Sequence, residues 1–293
     1  MTYSPIVIMR LPNISLHQLF LPLPLLLLGG CGVVNVAYNN ADMAIRWFAS
    51  DYFDFSTHQQ AQFNQDLRRM HVWHRREELP KYAMLCTETA KRVEAGLKPA
   101  DLDWIGSTVD VHREALLHYA AGDLAGVLVT MESAQLSIMD TKFARENVKF
   151  RKEHLDGTPE ALEKKRVKRS LERIEDWVGT LEPNQKERVT AMVKAFPQSA
   201  EHRYTHRAAR QKMLRELLEA RLPKDKLEEG LRQWLIDWEN DRTAEHKRVW
   251  VQWVKQLRQL MLELDAMLTP KQRMHLTRKL HGYAKDFAVL SKH

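Results

Sequence analysis

Leu268-Thr269-Pro270-Lys271-Gln272, followed by apolar residues at Leu276, Leu280, Tyr283, Phe287 and Leu290, decides the fold class. Threonine ahead of a helix accepts a hydrogen bond from a backbone N–H of the first turn. Glutamine three residues on reaches back to the threonine's own N–H, and the leading leucine packs as a staple on the turn. Proline suits the first helical position, where its missing N–H costs nothing. The apolar residues behind it recur at three and four, so they line one face of a helix that must be buried against another.

Working outward, the same start stands at Phe55-Ser56-Thr57-His58-Gln59 and Leu181-Glu182-Pro183-Asn184-Gln185, with a weaker copy at Met131-Glu132-Ser133-Ala134-Gln135. Phe63, Leu67, Met70 and His74 repeat the stripe. The prolines after residue 31, at 80, 99, 159, 183, 197, 223 and 270, fall where an apolar pattern begins or stops. No segment alternates as a strand does. The chain therefore reads as all-α, an elongated multi-helix bundle of about ten helices. They are expected over 38–50, 57–78, 80–95, 99–120, 123–154, 159–178, 183–195, 198–221, 224–267 and 270–290. Segment 224–267 reads either as one rod of roughly 65 Å or as two helices broken near Asn240. Its Trp234, Trp238, Trp250 and Trp253 read as packing rather than as a ligand cage.

The first thirty residues carry one charged residue, Arg10, then a leucine-rich run from Leu19 to Leu28 and Leu28-Gly29-Gly30-Cys31. Ten residues broken by Pro22 and Pro24 are too few to span a bilayer, which takes about 20. The order is that of a cleaved export signal. Leu-Gly-Gly-Cys resembles the lipobox of bacterial lipoproteins, which implies an acyl lipid on Cys31, with membrane lipid as its first partner. Gly32, rather than Asp, is similar to lipoproteins sorted to the outer membrane. The expected organisation is a signal peptide over 1–30 and a lipid-anchored helical domain over 31–293, divisible into halves 31–157 and 158–293. Localisation is expected at the periplasmic face of an outer membrane.

The chain holds 45 Lys and Arg against 38 Asp and Glu, a net charge of +7. Its sharpest basic cluster is Lys164, Lys165, Arg166, Lys168 and Arg169. Val167, Leu171, Ile174 and Val178 share one helical face there, so the cluster reads as the solvated back of an amphipathic helix. A second reading is contact with anionic headgroups or cell-wall polymers; an exported protein is not expected to meet nucleic acid. Only Cys86 remains beside the anchor cysteine, so no intramolecular disulfide can form, and Tyr82-Ala83-Met84-Leu85-Cys86 makes it a small apolar filler.

His71, His74 and Glu78 could share a helix edge as metal ligands, and His202 and His206 form a second pair at four. Neither is completed by the Glu-x-x-His spacing of a di-iron bundle, and no metal or other cofactor is expected beyond the acyl lipid. His74-Arg75-Arg76-Glu77-Glu78 reads more simply as an ion-paired cluster. No His-Glu-x-x-His, Gly-x-Ser-x-Gly, phosphate loop or dinucleotide fingerprint occurs. A catalytic site would have to be assembled by the fold alone.

The Leu-Thr-x-x-Gln pattern resembles the signature of Spy-type periplasmic chaperones, small helical proteins that cradle unfolded clients. The resemblance covers four pentapeptides, and Glu182 replaces the threonine in one. A broader resemblance runs through Tyr38-Asn39-Asn40-Ala41-Asp42, Trp47, Asp51-Tyr52-Phe53-Asp54, Trp73 to Ala83 and Arg173 to Trp177. That combination looks like a family of bacterial lipoproteins of unknown function and implies a helical envelope lipoprotein over nearly the whole mature chain. Asn39, Asn40, Asp42, Trp47 and Asp51 are the expected contact surface for another envelope protein, with Asn-Asn-Ala-Asp as a helix cap the alternative. The leading expectation is an adaptor or accessory subunit that acts by binding. A holdase for unfolded envelope proteins and an enzyme with a fold-assembled site are the alternatives.

Overall fold

The computed structural model describes residues 33–292. The expected signal peptide over 1–30, Cys31 and Gly32 lie outside them. The helices are α1 (Val33–Asn39), α2 (Ala41–Phe53), α3 (Thr57–Trp73), a π turn (His74–Glu78), α4 (Leu79–Ala95), α5 (Pro99–Leu128) and α6 (Ser133–His154). After these come α7 (Pro159–Val178), α8 (Pro183–Ala195), α9 (Ala200–Glu219), α10 (Lys224–Ile236), α11 (Ala244–Met267) and α12 (Pro270–Leu290). The fold is an all-α multi-helix bundle, with no strand among the described residues.

Proline, glycine and capping chemistry set these boundaries, with instructive differences from the sequence pattern. The break expected between 120 and 123, at Gly122, does not occur, because α5 runs on to Leu128. Gly126 lies inside this continuous helix where α3 packs beside it, 2.8 Å separating an added Cβ from the movable Gln62 amide nitrogen. The true break is at the weak fourth motif, where the Glu132 N–H is capped by Gln135 Oε1 at 2.9 Å. Segment 224–267 is two helices. Thr243 starts the second by accepting from the His246 N–H at 3.1 Å. Residues 57–95 form one continuous helical path whose register is shifted by the π turn.

One core joins α2, α3, α5, α6, α9 and α10 through Tyr52, Leu67, Leu128, Leu136, Leu214 and Leu231. A second, of α7, α8 and α11, centres on Val178, Val189, Val193 and Leu260. Between them α4 lies along α12, closed by Leu79, Tyr82, Tyr283, Phe287 and Leu290 with Val34 of α1. The boundary between residues 157 and 158 is crossed by the pairings α4 with α12, α5 with α10 and α6 with α9.

The four capping glutamines meet in pairs. Gln185 Oε1 accepts from the Glu182 N–H at 2.9 Å and from Gln272 Nε2 at 2.8 Å. Its Nε2 donates to Met267 O at 2.7 Å and to Gln272 Oε1 at 2.9 Å. Gln272 reciprocates, accepting from the Thr269 N–H at 2.9 Å and donating to Thr180 O at 2.8 Å. Gln59 and Gln135 repeat the arrangement, with Nε2 to Oε1 distances of 3.2 and 2.7 Å, and reach Thr130 O and Asp54 O respectively. Both donors and both acceptors of each buried amide are used, the condition for burying one cheaply.

Removing one member orphans its partner's amide and a backbone carbonyl, each costing about 1–3 kcal/mol when buried. We expect Gln185→Ala and Gln272→Ala each to lower stability by about 2–3 kcal/mol. The double variant should cost at least about 1 kcal/mol less than the sum. Urea denaturation of the four proteins measures this; strict additivity would show that the amides act only as separate caps.

Candidate functional site

Behind α1 and α2 the packing leaves a cavity of about 240 Å³. Ile45, Phe48 and Phe53 close it from α2, Leu67 and Met70 from α3, and Leu116, Ala120 and Leu124 from α5. Leu231 and Trp234 of α10 form its far wall. It exceeds the roughly 150 Å³ of an engineered apolar cavity that stays dry and takes benzene.

Polar groups gather at its α1 end. The Tyr38 hydroxyl is 2.8 Å from His74 Nδ1, and His74 Nε2 is 3.3 Å from the Tyr82 hydroxyl. A neutral imidazole offers one donor and one acceptor, so one tyrosine donates to it and the other accepts. Burial, the largest influence, pushes His74 down to about 4 despite the nearby Glu78 carboxylate. Burial likewise raises Tyr38 and Tyr82 above the ordinary tyrosine range, so both phenols stay protonated. His71 Nε2, buried on the same wall beneath the Tyr38 ring at 4.7 Å, has no hydrogen-bond partner. At the other end Asp123 accepts from Arg69 at 2.6 Å through Oδ1, while Oδ2 is buried without a partner. Burial raises the Asp123 carboxyl above its usual range.

The π turn explains why His71, His74 and Glu78 do not converge. It inserts a residue into the helical register, so His74 faces Tyr38 while Glu78, 1 % exposed, turns to Lys81 at 2.8 Å and His112 Nδ1 at 2.9 Å. His202 stacks on His246 at 5.6 Å, and His206 meets His246 edge-on at 5.3 Å. Among the described residues no three His, Cys, Asp or Glu side chains are arranged to hold a metal ion.

The expected contact residues are mostly engaged within the molecule. Asn39 accepts from Arg75, and Asn40 donates to Val36 O at 2.7 Å, completing α1 instead of capping α2. Asp42 pairs with Arg46, and Asp51 with Lys142 and Arg145. Trp47 is 66 % exposed. The basic cluster divides: Lys164, Lys165 and Lys168 are exposed, whereas Arg166 donates to Phe196 O and Lys194 O at the end of α8. Arg169 lies 3.4 Å from His154 Nδ1. Trp238 and Trp250 sandwich the Arg242 guanidinium at 4.5 and 4.2 Å, while Trp234 donates to Arg210 O. Burial holds the Cys86 thiol up at about 12, as a filler requires.

The part of the chain that builds most of this cavity, residues 51–247, matches a family of unknown function designated DUF6279. The chain belongs to that family. DUF6279 covers more than half of the sequence, less than the nearly whole stretch after Cys31 that the motifs implied. Tyr38 to Trp47, among the motifs read as its signature, and Gln272 fall outside it. No curated protein and no solved structure matches the chain. Among the described residues of this DUF6279 member, no helix is long and apolar enough to cross a membrane.

Sequence reasoning missed the cavity. Its only trace was His74 in an otherwise apolar stripe, which marked where a polar group enters the core. Since His74 is held near 4 in the fold against 6.5 ordinarily, the unfolded chain binds the extra proton between those values. The stability it confers is complete above pH 6.5 and is lost as pH falls toward 4, with about 3 kcal/mol at stake. We expect His74→Gln to flatten the stability-versus-pH curve in that window by one proton's worth. Urea titrations across the window check it; an unchanged slope would mean that His74 is not buried neutral.

Proposed function

We propose that this protein is a lipid-anchored envelope protein that acts by binding, and that its cavity takes an apolar chain carrying a neutral polar head. The cavity behind α2 carries this reading. Its walls suit hydrocarbon, and the protonated phenols of Tyr38 and Tyr82 with neutral His74 suit an uncharged hydroxyl, ester or amide. His71 Nε2 is an open hydrogen-bonding position beside them. Such ligands abound where the expected acyl group on Cys31 would hold the protein. As an adaptor, the protein would offer a partner the state of α2, the helix over the cavity. The holdase reading loses its sequence basis, because the buried glutamine pairs account for the four motifs.

The test fills the hole. Ala49 and Ala120 both face it, so Ala49→Leu and Ala120→Leu replace void with methyl groups. We expect the protein to bind a fluorescent fatty-alcohol analogue at one site, with affinity reduced at least tenfold in the filled variants. Their melting temperatures should not fall, since filling a cavity adds contacts. No saturable binding by the unaltered protein would overturn the reading. For the anchor, we expect Cys31→Ser to move the protein from the membrane to the soluble fraction; unchanged partition would remove Cys31 as the anchor.

A further inference from the structure

Helices α1 and α2 are apolar on two sides. The two helices are separated at Asn40, a turn residue at φ -107°, ψ 6°, whose N–H donates to Val36 O at 3.2 Å while its carbonyl accepts from the Ala44 N–H at 3.3 Å. Val34 and Tyr38 of α1 and Ile45, Phe48 and Ala49 of α2 all line the cavity. Met43 and Trp47, four apart, share the opposite face of α2, and Val36 is exposed on α1. Val36, Met43 and Trp47 are 65 %, 60 % and 66 % exposed. The other large exposed apolar residues of the described chain are spread over seven further helices, with two at most on any one.

We infer that this outer face docks on the lipid bilayer, lying in the plane of the interface. Covalent reach favours a bilayer as occupant over a second copy of the chain. Val36 follows Cys31 by five residues, so even a fully extended chain keeps it within roughly 18 Å of the expected acyl-bearing cysteine. An anchored α1 thus stands at the headgroups however the rest of the molecule leans. The residue types agree: tryptophan, with an apolar ring and one N–H, concentrates at the membrane interface, and valine and methionine enter the acyl boundary beside it. Arg46, paired with Asp42, and Arg75, bonded to Asn39, flank the stripe where anionic headgroups would lie. The cavity then opens behind a helix whose outer face touches lipid. Docking rests on the Cys31 anchor proposed above, whose failure would show separately as unchanged partition of Cys31→Ser, and not on what the cavity binds.

The experiment places a benzophenone amino acid at Met43 or Trp47 of the full-length protein in its native membrane. Val251, 67 % exposed on α11, is the control. After illumination, adducts are identified by mass spectrometry. We expect lipid adducts from 43 and 47 at several times the yield from 251. Equal yields, no adduct, or adducts to a second copy or another protein would each overturn the inference. Ala49→Leu should leave the lipid adducts unchanged, so a failure of the cavity reading would not be mistaken for a failure of docking.

Discussion

A buried primary amide is tolerable only when two donors and two acceptors are all used, and in this protein that requirement welds helix starts together in pairs. Each glutamine closes its own helix and simultaneously satisfies a carbonyl at the edge of its partner's motif. Ends that are otherwise the frayed, solvated part of a helix thereby become fixed points inside the structure. One pair joins the starts of α3 and α6, the other those of α8 and α12. The directions of these four helices leaving the nodes are thereby constrained.

From the first node α3 runs to the π turn, where one extra residue re-aims the helix. His74 is delivered to the Tyr38 and Tyr82 hydroxyls, and Glu78 to Lys81 and His112. A straight helix would keep the three-and-four spacing of His71, His74 and Glu78 on one edge, the arrangement that invited a metal reading. Alongside, α5 packs against α3, with Gly126 facing the Gln62 amide. Phe48, Phe53 and Trp234 line the space left beside these helices, which is the cavity.

Helix class, most boundaries and the capping boxes were legible because they depend on residues three or four apart. Thr269 and Gln272 announce a helix start in any context, and the structure keeps α12 over 270–290 as read. The run of α5 across Gly122 was not legible, since local spacing does not tell a glycine that ends a helix from one inside a continuous helix. The pairing of Gln59 with Gln135 was not legible either, since it joins residues 76 apart and local spacing carries no record of it. Asn39, Asp42 and Asp51, read as a contact surface, also hold partners within the molecule, Arg75, Arg46 and Lys142; of these only the Asp42–Arg46 step of four is recorded in local spacing, while Trp47 faces out.

The cavity also bears on energetics. Ala49 and Ala120 leave space on its wall that a leucine at either position would fill with apolar contacts. Void and small wall residues coexist with His71 Nε2 and Asp123 Oδ2, both buried without partners. An occupant with a hydrocarbon body and a hydrogen-bonding head would relieve the packing deficit and the orphaned atom beside Tyr38 together. Its binding would then stabilise the fold by RT ln(1 + [L]/Kd), rising with the logarithm of ligand concentration once the site is mostly filled.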